Sequence, residues 1–383
     1  MTETRVRIGL LRLTDSAPVL HAAAAGLFAR HGIEPALSIE PSWANIADKL
    51  AYGLLDAAVM LPPLALAAAA GLRGVPARIV VPMGLTLGGN TLVGTHAVAE
   101  ALGAGDALMM APLAMPPLAM ARRFVAWVRA QPAPPRFAVV HAWSTHALLL
   151  RYWLAAGGGD PDRDLATVVI PPEQVVAALA AGRITGFCAG APWGDAAEAC
   201  GAGRVLLGSS AIWGHHPEKC LALAEPWAAA HPGAVTGLLR ALLAAGRACA
   251  APEQAPALAD LLAGAGVAAP RAALLAALPG GAGRERIEFH AGAAWYPWRS
   301  HARWFLAQLR RWGWLPGAVD AAALADAVYR PALLAPAAAA EGLDWPEADA
   351  KPEGGHDGPW TLPARPNPLP MGADRFCDGA NFT

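Results

Sequence analysis

Over its first ninety residues the chain alternates strand-like and helix-like segments, and this alternation limits the possible folds more than any other feature. Residues 6–13 alternate apolar and polar side chains like a strand, and residues 16–31 form an alanine-rich helix stopped by Gly32, a common residue just past a helix end. Residues 33–40 alternate again, a helix follows from 42 to 53, and residues 57–61, 63–70 and 77–83 repeat strand, helix, strand. Consecutive strands joined by helices imply a mainly parallel sheet covered by helices. The pattern resumes further on. A helical stretch broken at Pro112, Pro116 and Pro117 runs to about residue 131, followed by strands at 136–142, 166–170, 184–188 and 204–212. Helices at 145–156 and 173–181, and one opening at Pro192, separate them. From residue 218 to about 341 the chain reads as nearly all helical, with Trp-rich amphipathic segments, and residues 344–383 read as an extended strap or a partly disordered tail.

This reading gives an α/β clamshell with mainly parallel sheets and a helical C-terminal third. Residues 1–92 start lobe 1, 93–205 form lobe 2, 206–343 return to lobe 1 and add the C-terminal helices, and 344–383 are the tail. A membrane protein is the main competitor, because 55% of residues are hydrophobic, only 15% are charged and the mean hydropathy is +0.34. The longest uncharged run, residues 79–99, has the length for a span, but it carries Pro82, Gly84, Gly88, Gly89, Asn90, Gly94 and His96. It reads as strand, loop, strand.

Net charge is -1 with no basic block, which disfavours direct contact with nucleic acid. The opening MTETRVRIGLLRL enters a strand pattern without the regions of an export signal, so a cytoplasmic location is expected. Cys188, Cys200, Cys220, Cys249 and Cys377 lack disulfide-framework or zinc-ligand spacing. No cofactor motif, Walker loop or nucleophile elbow is present, and an enzyme is not expected.

In open α/β sheets ligands bind where strands end and helices begin. Four such junctions carry unusual residues. In IEPSWANIADKL, Ser42 is placed to cap a helix and Trp43 lies in its first turn, where free N–H groups favour anions. In LTLGGNTL, two glycines precede Asn90. In VVHAWSTHALLL, His146 follows the capping candidates Ser144 and Thr145, and in ITGFCAGAPWG, Gly190 ends a strand before Pro192. Each has an ordinary reading as core packing, a turn or a satisfied histidine. Beyond them, HHPEKC brings together His215, His216, Glu218, Lys219 and Cys220 without the separated ligand pairs that a metal site needs. Only three of the 29 basic residues are lysines, Lys49, Lys219 and Lys351, which sets Lys219 apart as a candidate buried cation. Together these residues specify a small pocket for a planar oxyanion, with one Trp, one His, one Lys and no carboxylate pair.

The run from RIGLLRLTDSAP through PSWANIADKLAYGLLDAAVM, with RYWLAAGGGDPDRDL, GFCAGAPWG and HPEKCLAL, resembles the nitrate-binding family of NrtA, CmpA and the cytosolic sensor NasS. That family is a branch of the type II periplasmic binding protein superfamily. The resemblance implies ligand contacts from Trp43, Asn90, His146, Gly190 and Lys219. The bicarbonate-binding members carry an acidic residue at the lysine position, so Lys219 points to nitrate or nitrite. Thr145 and Ala191 depart from the sensors' usual residues. The resemblance to NasS implies a cytoplasmic sensor that holds a NasT-like RNA-binding antiterminator until its anion binds. Alternatives are the solute-binding component of an ABC importer, a thiamine-precursor-synthase-like enzyme and a binder of an organic acid such as a sulfonate.

Overall fold

The computed structural model describes residues 3–103 and 115–383, so the expected helix break at Pro112 lies outside the described residues. The strands that build the two main sheets are, in chain order, β1 (Thr4–Leu10), β2 (Ile33–Ile39), β3 (Ala57–Met60), β4 (Ile79–Gly88), β5 (Asn90–Gly94), β6 (Arg136–Val139), β7 (Ala166–Val169), β8 (Gly186–Gly190), β9 (Arg204–Gly208), β10 (Pro217–Ala224) and β11 (Ile287–Glu288). Lobe 1 is a six-stranded sheet in the order β11-β4-β10-β3-β1-β2, and lobe 2 is a five-stranded sheet in the order β7-β6-β8-β5-β9. Both sheets are mixed. β1 runs parallel to β2 and β3, and β6 runs parallel to β7 and β8, as the strand–helix alternation requires. The strands by which the chain enters each lobe from the other, β5 and β10, run antiparallel to both neighbours.

The uncharged run at 79–99 supplies β4, the crossover glycines and β5. Among the described residues no single helix is long and apolar enough to cross a membrane. Elsewhere the chain departs from the pattern in its sequence. The helix expected over 16–31 is two, Ala17–Ala24 and Leu27–Arg30, separated where Gly26 takes φ 66°. The strand expected to continue to 212 ends at Gly208 and passes into the short turn Ser209–Ala211. The largest correction concerns β10, which occupies the start of the segment expected to be helical. Every residue from Pro217 to Ala224 is buried, because β10 sits inside the sheet with both faces covered, and such a strand shows no period of two. Beyond β10 the segment expected to be helical is mostly so, with long helices at Pro232–Cys249 and Arg299–Arg311, but it also supplies the edge strand β11.

The tail is an ordered strap. Trp345–Pro346 pairs with Ala364–Arg365, and Trp360–Leu362 pairs with Leu369–Met371. Phe376 stacks on Trp213 at 4.9 Å and on Trp304 at 5.9 Å, and Tyr152 of lobe 2 donates to Asp378 at 2.9 Å. The strap therefore ties lobe 2 to the C-terminal helices.

The chain passes between the lobes twice, at Gly88–Asn90 and at Gly208–Pro217. Gly89 has φ 90°, and a Cβ there would lie 2.4 Å from Ile287 Cγ1, so the first crossing requires glycine. One side chain braces both crossings. The buried Glu285 carboxylate accepts from Gly89 N–H at 3.0 Å, from Ser210 Oγ at 2.5 Å and from Ser210 N–H at 3.3 Å. Ser209 Oγ adds a 3.4 Å contact to Glu285 and accepts from Asn90 N–H at 3.2 Å.

Burial pushes the Glu285 carboxyl up to about 7, against the pull of these donors. Between the ordinary carboxyl value and pH 7 the folded chain holds a proton that the unfolded chain has lost. Stability from this group is thus greatest below the unfolded value and declines as pH rises to about 7, by ~3 kcal/mol at most. Urea unfolding of Glu285→Gln between pH 5 and 8 should show a flatter pH dependence than the wild type. An unchanged slope would mean that Glu285 does not titrate in this range.

Candidate functional site

The site forms where the strand-to-helix junctions of both lobes meet. From lobe 1 come the turn Thr14–Ser16 after β1, the first turn of helix Trp43–Ala51 after β2, and β10. From lobe 2 come Asn90 at the start of β5, helix Thr145–Ala156 after β6, and Gly190 at the end of β8. Both helices carry the caps expected of them: Ser42 Oγ accepts from Asn45 N–H at 3.2 Å, and Ser144 Oγ from Ala147 N–H at 3.1 Å. These caps fix the entry of each chain segment and so aim Trp43 and His146. The lobes touch here, with Thr14 N–H donating to Ala191 O at 3.4 Å and Ala191 N–H donating to Gly89 O at 2.7 Å.

At the centre is Lys219, whose side chain is fully buried. Its Nζ lies 2.7 Å from Asp15 Oδ2, 2.5 Å from Glu218 Oε1 and 5.5 Å from the Trp43 ring centroid. Glu218 spans the lobe boundary. Its Oε2 accepts from Asn90 Nδ2 at 2.5 Å, and its Oε1 faces His146 Nδ1 at 3.2 Å. A Cβ on Gly190 would lie 3.5 Å from Asn90 Oδ1, 3.8 Å from Asp15 Oδ2 and 3.9 Å from Lys219 Nζ, so the bare backbone faces this cluster. The structure thus brings Trp43, Asn90, His146, Gly190 and Lys219 around one point, with Trp43 and Lys219 on lobe 1 and the other three on lobe 2.

Two further members were not on the list of ligand contacts read from the sequence. Adjacent residues of a regular strand point to opposite faces, so Glu218 and Lys219 should not meet. They meet because the register shifts on both sides of Lys219: Pro217 pairs with Leu87, Lys219 with Thr86 and Cys220 with Gly84. Glu218 is the extra residue of a bulge, which turns its side chain toward the cleft. Asp15 follows β1, at a strand end where the same rule that selected Trp43 and His146 applies; its position in LRLTDSAP is the signal that could have found it. The expectation of a pocket without a carboxylate pair is therefore corrected: two buried carboxylates flank the lysine.

The electrostatics follow from this packing. Burial works against the Lys219 charge, but Asp15 and Glu218 more than offset it and raise its pKa. Burial also works to raise the Glu218 carboxyl, yet Lys219 and His146 outweigh it and hold Glu218 at about 2. For Asp15 the balance is reversed: burial, helped by the Glu218 charge, raises its carboxyl despite Lys219. Burial pushes the nearby His216 down to about 4, leaving it neutral at pH 7. Several buried polar atoms of this cluster have no hydrogen-bond partner: Thr14 Oγ1, Asp15 Oδ1, Trp43 Nε1, Asn90 Oδ1, Thr145 Oγ1 and His146 Nε2. Buried polar groups are normally paired, so a concentration of unpaired ones is a place where a polar ligand or ordered water would complete the hydrogen bonding. No group of three or more metal-ligating side chains occurs among the described residues. A cavity of about 530 Å³ on lobe 1 holds Arg7, Arg73 and Arg78, but these are paired with Asp56, Asp48 and Glu225 and offer no free charge to an anion.

Residues 1–263 match the NMT1-like family. The chain is 32% identical over 369 residues to the nitrate/nitrite binding protein NrtA of Synechococcus elongatus, a match covering 90% of this chain and 80% of that one. It is 33% identical over 355 residues to the nitrate import ATP-binding protein NrtC of Synechocystis sp., covering 89% of this chain but 51% of that protein. The chain thus spans about half the length of that relative. The crystal structure of the periplasmic nitrate-binding protein NrtA from Synechocystis PCC 6803 superposes with a TM-score of 0.81 at 26% identity, covering 99% of this chain and 95% of that one.

Removing the cation while leaving both carboxylates should be costly. Lys219→Met is expected to lose about 3–5 kcal/mol of stability at pH 8, the usual penalty for breaking a buried pair. The loss should be smaller at pH 5, where Asp15 and Glu218 can take up protons. Urea unfolding at the two pH values measures it; a loss below ~1 kcal/mol at pH 8 would show that Lys219 does not offset the charge of the two buried carboxylates.

Proposed function

This chain belongs to the NMT1-like family, in its NrtA/CmpA branch, and from that premise we propose that it binds nitrate or nitrite between its two lobes. The observation that carries the reading is the convergence, at one buried point between the lobes, of Lys219, Trp43, His146, Asn90 and Gly190, with unpaired polar atoms on Trp43, His146 and Asn90. Lys219 supplies the counter-charge. Trp43 covers a planar ligand face and offers Nε1–H, while Gly190 leaves room for the ligand against the backbone. His146 Nδ1 donates to the ionised Glu218, which fixes the ring beside the ligand. A lysine at this position favours nitrate or nitrite over bicarbonate.

The finer reading is a cytoplasmic sensor that holds a NasT-like RNA-binding antiterminator and releases it when the anion binds. Its support is a net charge of -1 with no basic block, which leaves RNA contact to the partner. Ligand contacts drawn from both lobes supply the means: an anion that binds the closed form better than the open one shifts the population toward closure. A second reading, the solute-binding component of an ABC importer, is favoured by the identity shared with NrtA and NrtC.

Calorimetric titration with nitrate, nitrite, bicarbonate and sulfate tests the ligand. Wild-type protein should bind nitrate or nitrite in preference to the other two. Lys219→Ala and Gly190→Val should each weaken binding at least tenfold, about 1.4 kcal/mol. Failure of the wild type to bind either anion would refute the ligand. Pull-down of a NasT-like protein, with and without nitrate, separates sensor from importer component: nitrate-reversible capture supports the first, and no capture under either condition counts against it.

A further inference from the structure

The charges inside the site do not balance for an anion. Lys219 contributes one positive charge, and Asp15 and Glu218, each almost completely buried, contribute two carboxylates within 2.7 Å and 2.5 Å of its Nζ. With both ionised and His146 neutral, its Nδ1–H given to Glu218, the centre is negative before any ligand arrives, and a monoanion would be added to a buried negative site. The groups acting electrostatically on Asp15 are Lys219, Glu218 and His146. Gly190 and Trp43, the site residues of β8 and of helix Trp43–Ala51, bring no charge, and Asn90 at the hinge brings a neutral amide. His146 already serves Glu218 through Nδ1, and His216 is bonded to Ser209 Oγ at 2.7 Å.

The two carboxylates are not equivalent. Glu218 is bonded on both oxygens, to Lys219, Asn90 and His146. Among the described residues the Asp15 carboxylate pairs with Lys219, through Oδ2, and its buried Oδ1 has no hydrogen-bond partner. Asp15 is therefore the carboxyl from which Lys219 can be released at least loss.

We propose that the site takes up its anion together with one proton from solvent, carried on Asp15, and that Asp15 thereby sets both the pH dependence and the charge selectivity of binding. The inference rests on the anion-binding reading above. The balance is protein plus monoanion plus H⁺ giving the complex: the proton bonds to an Asp15 oxygen, the Asp15–Lys219 ion pair is lost, and the Lys219 ammonium turns to the ligand. Protonated Asp15 then offers an O–H donor to a ligand oxygen. A divalent oxyanion would need a second proton, and Glu218, held by three partners, does not supply a place for one. Asp15 thus discriminates against sulfate.

The experiment is calorimetric titration of the full chain with nitrate at pH 6, 7 and 8, in two cationic buffers of different ionisation enthalpy, for wild type, Asp15→Asn and His146→Gln. Wild-type affinity should weaken up to tenfold per pH unit toward pH 8, with close to one proton taken up per nitrate at pH 8. Asp15→Asn should bind nitrate at least tenfold tighter than wild type at pH 8, with no proton uptake and little pH dependence. His146→Gln, weakened or not, should still take up the proton where binding is measurable in the wild type's pH range. Nitrate binding by wild type that is independent of pH and buffer overturns the proposal even if Asp15→Asn fails to fold, as does loss of proton uptake in His146→Gln alone. If nitrate and nitrite bind to neither wild type nor Asp15→Asn at any pH, the anion reading itself has failed, an outcome distinct from binding without a proton.

Discussion

A lysine ammonium with no exposed surface cannot exist without partners, and the pairing of Lys219 is the constraint on which the two-lobe arrangement depends. Its two carboxylates come from opposite ends of the lobe 1 chain path, Asp15 after β1 and Glu218 within β10. Glu218 in turn is satisfied only by reaching across the boundary to Asn90 and His146 of lobe 2. Separating the lobes would strip the carboxylate of two of its three partners and expose the ion pair to water. The cluster proposed to recognise the ligand therefore also holds the lobes together, so anion binding and lobe closure would share one set of interactions.

That coupling extends to the hinge. Asn90 contributes its amide to Glu218 and its backbone N–H to Ser209 Oγ, which also contacts Glu285 and His216. Glu285 holds Gly89 and Ser210, one residue from Asn90 and from Ser209. Any change in the orientation of the Asn90 amide is thus felt by both interlobe crossings within a few bonds. Long-range transmission is unnecessary in this architecture, because the interlobe crossings and the proposed ligand site are built from neighbouring residues of the same strands.

Much of this was legible in the sequence. The strand–helix alternation located the junctions, capping by Ser42 and Ser144 followed from residue type, and the five residues named as ligand contacts lie around one point. What could not be read has physical causes. β10 is buried on both faces, so Pro217–Ala224 lacks the alternation that announces a strand, and it was assigned to the helical third. Glu218 enters the site through a bulge, and a register shift leaves no local signature in a single sequence. The order of the tail is set by Phe376 against Trp213 and Trp304, partners far away in the chain and invisible to any local pattern.

The scarcity of lysine drew attention to Lys219, yet scarcity alone does not define a binding site. Lys351 is nearly as buried and keeps similar company: Glu353 at 2.5 Å, the Trp298 ring centroid at 5.9 Å, and His301 facing Glu353 at 3.3 Å. Lys49, more exposed, is paired with Glu40 at 2.8 Å. All three lysines thus have a carboxylate partner, as a compact ammonium withdrawn from water requires. The difference lies in the surroundings. Among the described residues Lys351 pairs with one carboxylate, and Glu353 also accepts from Ser300 at 2.7 Å, which fastens the strap to helix Arg299–Arg311. Lys219 meets two carboxylates at a boundary between lobes, beside a glycine and a group of unpaired polar atoms. Unpaired atoms alone do not separate the two clusters, since His301 Nε2 beside Glu353 is also unpaired; the second carboxylate on Lys219 and its place between the lobes do.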